Sequence, residues 1–210
     1  MSTEMRDFDK DAARWDEHPT RVRLGQDVAS AIACAIPLGP TMDVLDFGCG
    51  TGIVTLQLAA LVASVTGVDS SMGMLEVLNA KIERQGHTDV TTRRLHPGEA
   101  LPGAYDLIVS SMTFHHIEDI DALLMQFFRA LKAPGWLCVA DLDPEHGEFH
   151  DDNTGVFHFG FERAALRRAL VEAGFEEVRD VTAAEVVKPT RQGAPRAFSV
   201  FPLTGRKGTA

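Results

Sequence analysis

The sequence holds only three cysteines, Cys34, Cys49 and Cys138, and no two of them form a CxxC pair. An odd, scattered set speaks against a disulfide framework and against a cysteine zinc site. No apolar run approaches the roughly 18 to 20 residues that a membrane-spanning helix needs. The opening residues, Ser2 to Asp7, are charged and polar, without the apolar segment of a signal peptide. Together these absences predict a cytoplasmic protein with no membrane span. Basic clusters are missing as well. The formal net charge is −10, and the richest basic spots are the pairs Arg93-Arg94, Arg167-Arg168 and Arg206-Lys207. A grip on nucleic acid phosphates calls for a basic face, so a nucleic acid partner is disfavoured. No internal repeat or low-complexity block interrupts the chain.

What is present fits one α/β domain. The chain has 210 residues, 45% apolar and 24% charged, enough for one real core and too few for two ordinary domains. Short β-rich runs (Val44–Phe47, Val65–Val68, Val90–Thr92, Tyr105–Val109, Trp136–Ala140) alternate with stretches of helical spacing (Ile53–Leu61, Met72–Ile82, Ile120–Leu131). Strand and helix in alternation predict βαβ units, right-handed crossovers and a mostly parallel sheet. Residues 1–40 read as a helical lead-in, with helices over Phe8–Asp16 and Val22–Ile36. Asp143 to His158 is a polar stretch with few apolar residues. A helix over Glu162–Ala173 follows, then two strand-like runs, Glu177–Val181 and Ala197–Leu203, joined by a Pro/Gly-containing connection. Residues 204–210 read as a frayed, flexible tail.

The chemistry concentrates where the first strand meets its helix. Val44-Leu45-Asp46-Phe47-Gly48-Cys49-Gly50-Thr51-Gly52 runs from a buried strand into a helix. Its three alternate glycines let the backbone turn tightly and approach a ligand that a Cβ would exclude. About twenty residues on, Val65-Thr66-Gly67-Val68-Asp69 ends the next strand in a carboxylate, placed to accept hydrogen bonds from both hydroxyls of a ribose. Taken singly, the glycines fit a tight turn and Asp69 fits a helix cap. In combination they predict a nucleoside-bearing cofactor. Dinucleotide sites favour G-x-G-x-x-G/A, whereas here Ile53 takes the sixth position. Asp46 would repel a pyrophosphate but attract the amino group and sulfonium of S-adenosylmethionine.

Val44 to Gly52 resembles motif I of the class I S-adenosylmethionine-dependent methyltransferases, and Gly67-Val68-Asp69-Ser70-Ser71 with Met74-Leu75 resembles their second motif. Tyr105 to Ile117 is similar to the family's fourth strand and following loop, Leu131 to Trp136 to its turn into strand five, and Phe161 to Phe175 to its last helix. The resemblance covers nearly the whole chain and is nearest to the small-molecule group that includes quinone-biosynthesis methyltransferases. It implies a Rossmann-like seven-stranded mixed sheet in the order 3-2-1-4-5-7-6, strand seven antiparallel, with helices on both faces. It also implies S-adenosyl-L-methionine as cofactor and S-adenosyl-L-homocysteine as product. The carried-over contacts are Gly48, Cys49, Gly50 and Gly52 for the methionine moiety, Asp69 for the ribose and Asp46 for the amino group. Ser70 and Met74 fall near the adenosine, and Ser110 near the methionine part. In place of the family's frequent acidic residue after strand three stands Leu95-His96-Pro97-Gly98-Glu99.

Methyl transfer from a sulfonium needs alignment in a dry site more than a nucleophile, and a base only where the acceptor carries a proton that must leave. His115 and His116 follow strand four; His146, His150 and His158, with Asp151 and Asp152, lie in the polar stretch after strand five. Of these, His115 and His150 are the general-base candidates, against the alternative of a solvated loop and helix capping. No His/carboxylate pair has the i, i+4 spacing of a preformed helical metal site, so no metal is expected. Phe8 and Trp15 stand either as a lid over the cofactor or as simple helix packing. Ser110-Ser111-Met112-Thr113 stands where amino-methylating nucleic acid enzymes carry Asn/Asp-Pro-Pro-Tyr, which with the acidic charge favours a small-molecule acceptor. A non-catalytic cofactor-binding protein and a nicotinamide-dependent oxidoreductase are the competing classes, the latter opposed by Asp46 and Ile53. Nothing in the residues fixes an oligomeric state.

Overall fold

Alternation of side chains along the strands decides the layering. Val44 faces one core and Leu45 the other; Leu107, Ile108 and Val109 alternate in the same way, as do Leu137, Cys138 and Val139. Successive strand residues point to opposite faces, so strands apolar at both sets of positions need cover on both sides. The computed structural model, which describes residues 6–189 and 193–209, shows that cover.

Five strands, β1 (Asp43–Phe47), β2 (Ser64–Asp69), β3 (Val90–Arg94), β4 (Tyr105–Ser111) and β5 (Leu131–Leu142), lie parallel in the order β3-β2-β1-β4-β5. Beyond β5 comes β8 (Pro195–Lys207), antiparallel and flanked on its other side by β7 (Ala184–Pro189) and β6 (Glu176–Asp180). Helices α2 (Pro19–Ala35) and α3 (Ile53–Ala59) pack Val28, Ile32, Val54 and Leu58 into the core that holds Val44 and Leu107. On the opposite face, α5 (Ile120–Ala130) and α6 (Arg163–Glu172) pack Leu124, Phe127, Leu166 and Leu170 into the core that holds Leu45 and Ile108. The start of α5 is fixed by Asp119, whose carboxylate accepts from the Ala122 amide at 2.9 Å. A fourth long element, α4 (Met72–Gln85), follows β2, and a short α1 (Asp9–Ala12) rests against it.

The expected order 3-2-1-4-5-7-6 with an antiparallel strand is observed, with β8 as the antiparallel strand and one strand more than expected. Within the connection read as loop lies β7, which ends at Pro189, paired with Pro195 at the start of β8, and in which only Val186 is buried. The expected tail over residues 204–210 is strand as far as Lys207. Thr204 and Gly205 pair with Cys138 and Leu137, and Lys207 Nζ donates to the carbonyls of Phe128 and Leu131 at 2.6 Å each. Ladder pairing, which local composition does not report, holds this segment. In the lead-in, the helix expected over Phe8–Asp16 is α1 plus a separate 3-10 turn, Trp15–Glu17. Residues 1–5 of that lead-in and Ala210 of the expected tail lie outside the described residues.

Candidate cofactor and acceptor site

The bend after β1 is tied to the neighbouring strand by the Gly48 and Cys49 amides, which donate to the Val68 carbonyl at 2.8 and 3.1 Å. All three glycines are left-handed, with φ of +74° at Gly48, +53° at Gly50 and +82° at Gly52, a region that a Cβ makes costly. Their surroundings separate them. A Cβ on Gly48 would lie 2.2 Å from the Thr113 hydroxyl, and one on Gly52 2.2 Å from a Leu78 methyl. At Gly50 a Cβ would meet nothing within 4 Å. Two of the glycines therefore serve the protein's own packing, and Gly50 presents bare backbone to open space.

Two carboxylates flank that backbone. Asp69, at the end of β2, accepts from the Gly50 amide at 2.8 Å through one oxygen and from the Ser71 amide at 2.9 Å through the other. Each oxygen keeps a further lone pair for a ligand hydroxyl. Asp69 does not cap α4; Ser71 does, accepting from the Met74 amide. Asp46, in β1, is 1% exposed and accepts from the Thr55 hydroxyl at 2.6 Å. Burial pushes its carboxyl up to about 7, against the Thr55 hydrogen bond, with the Asp69 charge adding to the rise. Burial also raises Asp69, opposed by its backbone hydrogen bonds. Among the described residues neither carboxylate forms an ion pair with a basic side chain.

Other expected contacts take different roles. The Cys49 side chain is buried with Leu75 and Leu78 rather than aimed at a ligand, leaving its backbone to contribute. Met74 is buried too. The Ser110 hydroxyl donates to the Phe47 carbonyl at 3.0 Å and holds the end of β4 against β1. Ser70 borders a cavity of about 180 Å³ together with Arg6, Phe8, Ser71, Arg94 and His96. Glu99 is engaged locally, accepting from Arg93 at 2.7 Å and from the His96 amide at 3.1 Å.

The N-terminal segment closes over this bend. Asp9 accepts from the Ser71 hydroxyl and from the Gly73 amide at the start of α4. Asp16 accepts from the Thr51 hydroxyl at 2.7 Å and pairs with Lys81, whose Nζ also donates to the Thr51 carbonyl at 2.6 Å. Phe8 sets its ring edge-on to His116, centroids 5.1 Å apart, and Arg21 lies over Trp15 at 4.0 Å. The aromatic pair was legible as a lid or a packing element; Asp9, Asp16 and Lys81 were not. Nothing marks an exposed-looking acid as the partner of a loop thirty-five positions away.

Three histidines converge beside the lid. His115 and His116 form a 3-10 turn with Phe114 after β4, and His150 comes from the loop after β5. Their ring centroids are 4.2 Å apart (His115–His116), 4.9 Å (His115–His150) and 5.7 Å (His116–His150). His115 Nδ1 donates to the buried Asp141 carboxylate at 2.7 Å, and His116 Nδ1 donates to the Gly155 carbonyl at 2.7 Å. Burial, reinforced by the neighbouring rings, lowers His116 to about 4 and His150 to about 2, so both are neutral at pH 7. The remaining polar-loop candidates do not join them. His158 hydrogen-bonds the Ile117 carbonyl, Asp152 accepts from the backbone and hydroxyl of Thr154, and Asp151 is exposed.

A doubly wound sheet whose first turn carries left-handed glycines, and whose second strand ends in a half-buried carboxylate, defines a binding fold for nucleoside-bearing cofactors. Comparison with known proteins narrows the class. Residues 44–135 match the family model of a methyltransferase domain. An uncharacterised methyltransferase of Schizosaccharomyces pombe is 31% identical over 159 residues, covering 62% of this chain and 55% of its own. The methyltransferase GfsG of Streptomyces halstedii is 31% identical over 182 residues, 80% of this chain and 65% of its own. In fold, the chain is similar to phosphoethanolamine N-methyltransferase 2 of Haemonchus contortus in complex with S-adenosyl-L-methionine. That match has a TM-score of 0.71 at 17% identity and covers 100% of this chain and 62% of that one. Over residues 44–135 the chain is thus similar to methyltransferase domains, and over 62% and 80% of its length to these two methyltransferases. It spans just over half to about two thirds of the length of these curated relatives. No helix among the described residues is long and apolar enough to cross a membrane.

Proposed function

We propose that this protein binds S-adenosyl-L-methionine at the 46–74 bend and transfers its methyl group to a small-molecule acceptor seated against the histidines. The observation that carries the reading is the bare Gly50 backbone, held between the buried Asp46 and the half-buried Asp69, two carboxylates that lack a basic partner among the described residues. An ionised carboxylate buried without a cation is costly, and a ligand bringing an ammonium and a sulfonium relieves that cost. Bound there, S-adenosyl-L-methionine supplies an activated methyl group and leaves as S-adenosyl-L-homocysteine. Gly48, Gly50 and Gly52, with the backbone of Cys49, shape the cradle. Asp69 offers its free lone pairs to the ribose and Asp46 faces the amino group. Ser70 and Met74 stand at the adenosine end, and Ser110 braces the strand beneath the methionine end.

The chain's remaining task is to align an acceptor and keep water out. Asp9 and Asp16 tether the N-terminal segment across the bend, and Phe8 brings it against His116. With Nδ1–H given to Asp141, His115 keeps its Nε2 lone pair free, and His150 Nε2 is likewise unpartnered. In the metal-free protein His115 Nε2 is the group placed to take a proton from an acceptor hydroxyl, thiol or amine, whereas His150, lowered to about 2 by burial, is too weak a base for it. The acidic chain favours a small acceptor over nucleic acid. Titration calorimetry with S-adenosyl-L-methionine, S-adenosyl-L-homocysteine and NAD tests the cofactor, and turnover on a panel of phenols, amines and carboxylates tests the transfer. Heat from both sulfur compounds and none from NAD is expected. Absence of binding by both sulfur compounds overturns the reading, and binding without turnover on any acceptor leaves a non-catalytic binder.

A further inference from the structure

The histidine cluster is built beyond what proton transfer requires. One nitrogen from each of His115, His116 and His150 can be chosen so that all three lie within 4.8 Å of one another. Nδ1 of each of the two adjacent rings is fixed by a hydrogen bond, His115 to the Asp141 carboxylate and His116 to the Gly155 carbonyl, which leaves their Nε2 atoms to a ligand. Asp141 is itself held, accepting from the His115 amide at 3.3 Å and the Leu142 amide at 2.8 Å. Carboxylate and carbonyl partners of this kind set the tautomer and ring orientation of metal-binding histidines. Nε2 of His115 and Nε2 of His150 are buried with no hydrogen-bond partner, and the His115 side chain is 1% exposed. Buried polar atoms are nearly always satisfied, so lone pairs converging without a donor point to an absent electrophile.

We propose that His115, His116 and His150 form a three-imidazole site for a divalent d-block cation, Zn²⁺ foremost, with Asp141 and Gly155 as the outer partners that orient it. Imidazole donors select zinc, copper, nickel and iron over magnesium and calcium. Three histidines with one position left open is the arrangement of catalytic zinc. Zinc–nitrogen bonds of about 2.0–2.1 Å set tetrahedral donors about 3.4 Å apart, so a modest turn of the His150 ring on its loop closes the set. Consecutive histidines on a 3-10 turn, completed from a loop beyond the next strand, have no sequence spacing that announces a site. The i, i+4 pattern sought in the sequence belongs to helices, and these ligands are not on one. The open position would hold water or an acceptor oxygen as its anion, its proton released to solvent on binding, so that no histidine is needed to take it. That use rests on the methyl-transfer reading; the binding itself does not.

The test is metal titration of chelator-washed protein without cofactor, by calorimetry with Zn²⁺ and by the visible absorption of Co²⁺. One saturable equivalent of Zn²⁺ and the intense visible bands of low-coordinate Co²⁺ are expected, with no heat from Mg²⁺. His116→Ala and His150→Ala should each weaken Zn²⁺ by more than about a hundredfold, and Asp141→Asn by about 10- to 100-fold. His158→Ala, whose ring is bound outside the cluster, should bind as the unaltered chain does. Circular dichroism establishes that each variant is folded. No saturable Zn²⁺ binding, or binding unchanged in folded His116→Ala and His150→Ala, overturns the site. Because S-adenosyl-L-homocysteine binding is measured on the same metal-free protein, failure of the metal site and failure of the cofactor site read out separately.

Discussion

Proton uptake at Asp46 gives the sharpest test of the cofactor site. In the free protein its carboxyl is pushed up to about 7 by burial, whereas the ordinary value is 3.8. The cofactor's ammonium favours the ionised form. At pH 5.5 only about 3% of the free protein has Asp46 ionised, and at pH 7.0 about half, so affinity should rise about 15-fold across that window. The ligand's own α-amino group, beside its carboxylate, titrates above the window and does not blur it. S-adenosyl-L-homocysteine, which carries the same amino group and cannot turn over, is the ligand of choice, and calorimetry at fixed ionic strength the assay. Asp46→Asn should bind weakly and lose most of the slope, leaving only the smaller contribution of Asp69. An affinity that changes less than about twofold in the unaltered chain, or an equal slope in Asp46→Asn, refutes the reasoning. The same shift has a sign for folding. A raised carboxyl means that the folded state holds more protons than the unfolded one between about 4 and 7, so this group costs stability as pH rises through that range, by up to about 4 kcal/mol. Asp46→Asn should therefore raise Tm at pH 8 and change it little at pH 4.

Gly50→Ala and Gly52→Ala should part company. The first costs about 1–2 kcal/mol of stability for its left-handed backbone yet reduces cofactor affinity more than about tenfold; the second, whose Cβ would lie 2.2 Å from Leu78, costs about 2–4 kcal/mol. Equal losses of stability in urea titration would count against the division of roles among the glycines. Asp16→Ala should cost about 1 kcal/mol and speed amide exchange over residues 8–17, with faster cofactor release by stopped flow; unchanged exchange would remove Asp16 as a tether. Phe127→Ala empties a fully buried position against Phe47 and Phe114, centroids 5.2 and 5.9 Å away, and should cost about 3–5 kcal/mol in denaturant unfolding. A loss below about 1 kcal/mol would contradict the packing.

The central sheet was readable because each strand states its burial locally: Val44-Leu45-Asp46-Phe47 and Tyr105 to Val109 carry apolar residues on both faces, and Gly48 to Gly52 announces the bend. At the C-terminal edge this failed, since Glu185 and Val187 face outward on β7, and Thr204-Gly205 are buried through non-local contacts with β5, β6 and Phe175. In the candidate site, Asp46, Gly50 and Asp69 were legible because one short segment or one strand end places each of them. Asp141 was not, because its importance is its contact with His115, twenty-six positions earlier. The histidines were visible singly, but their convergence is a product of where β4 and β5 end.

The place of β8 between β5 on one side and β6 and β7, each paired to it, on the other sets an order on assembly. In the chain β8 follows every strand it touches, so β5 keeps an unpaired edge through emergence of the next fifty-two residues, from Leu142 to Pro195. Pairings across such separations form slowly, and an open apolar edge is a template for association with another chain. Nascent protein halted before residue 195 should therefore bind holdase chaperones, and release from them should coincide with the arrival of the Val200–Lys207 segment.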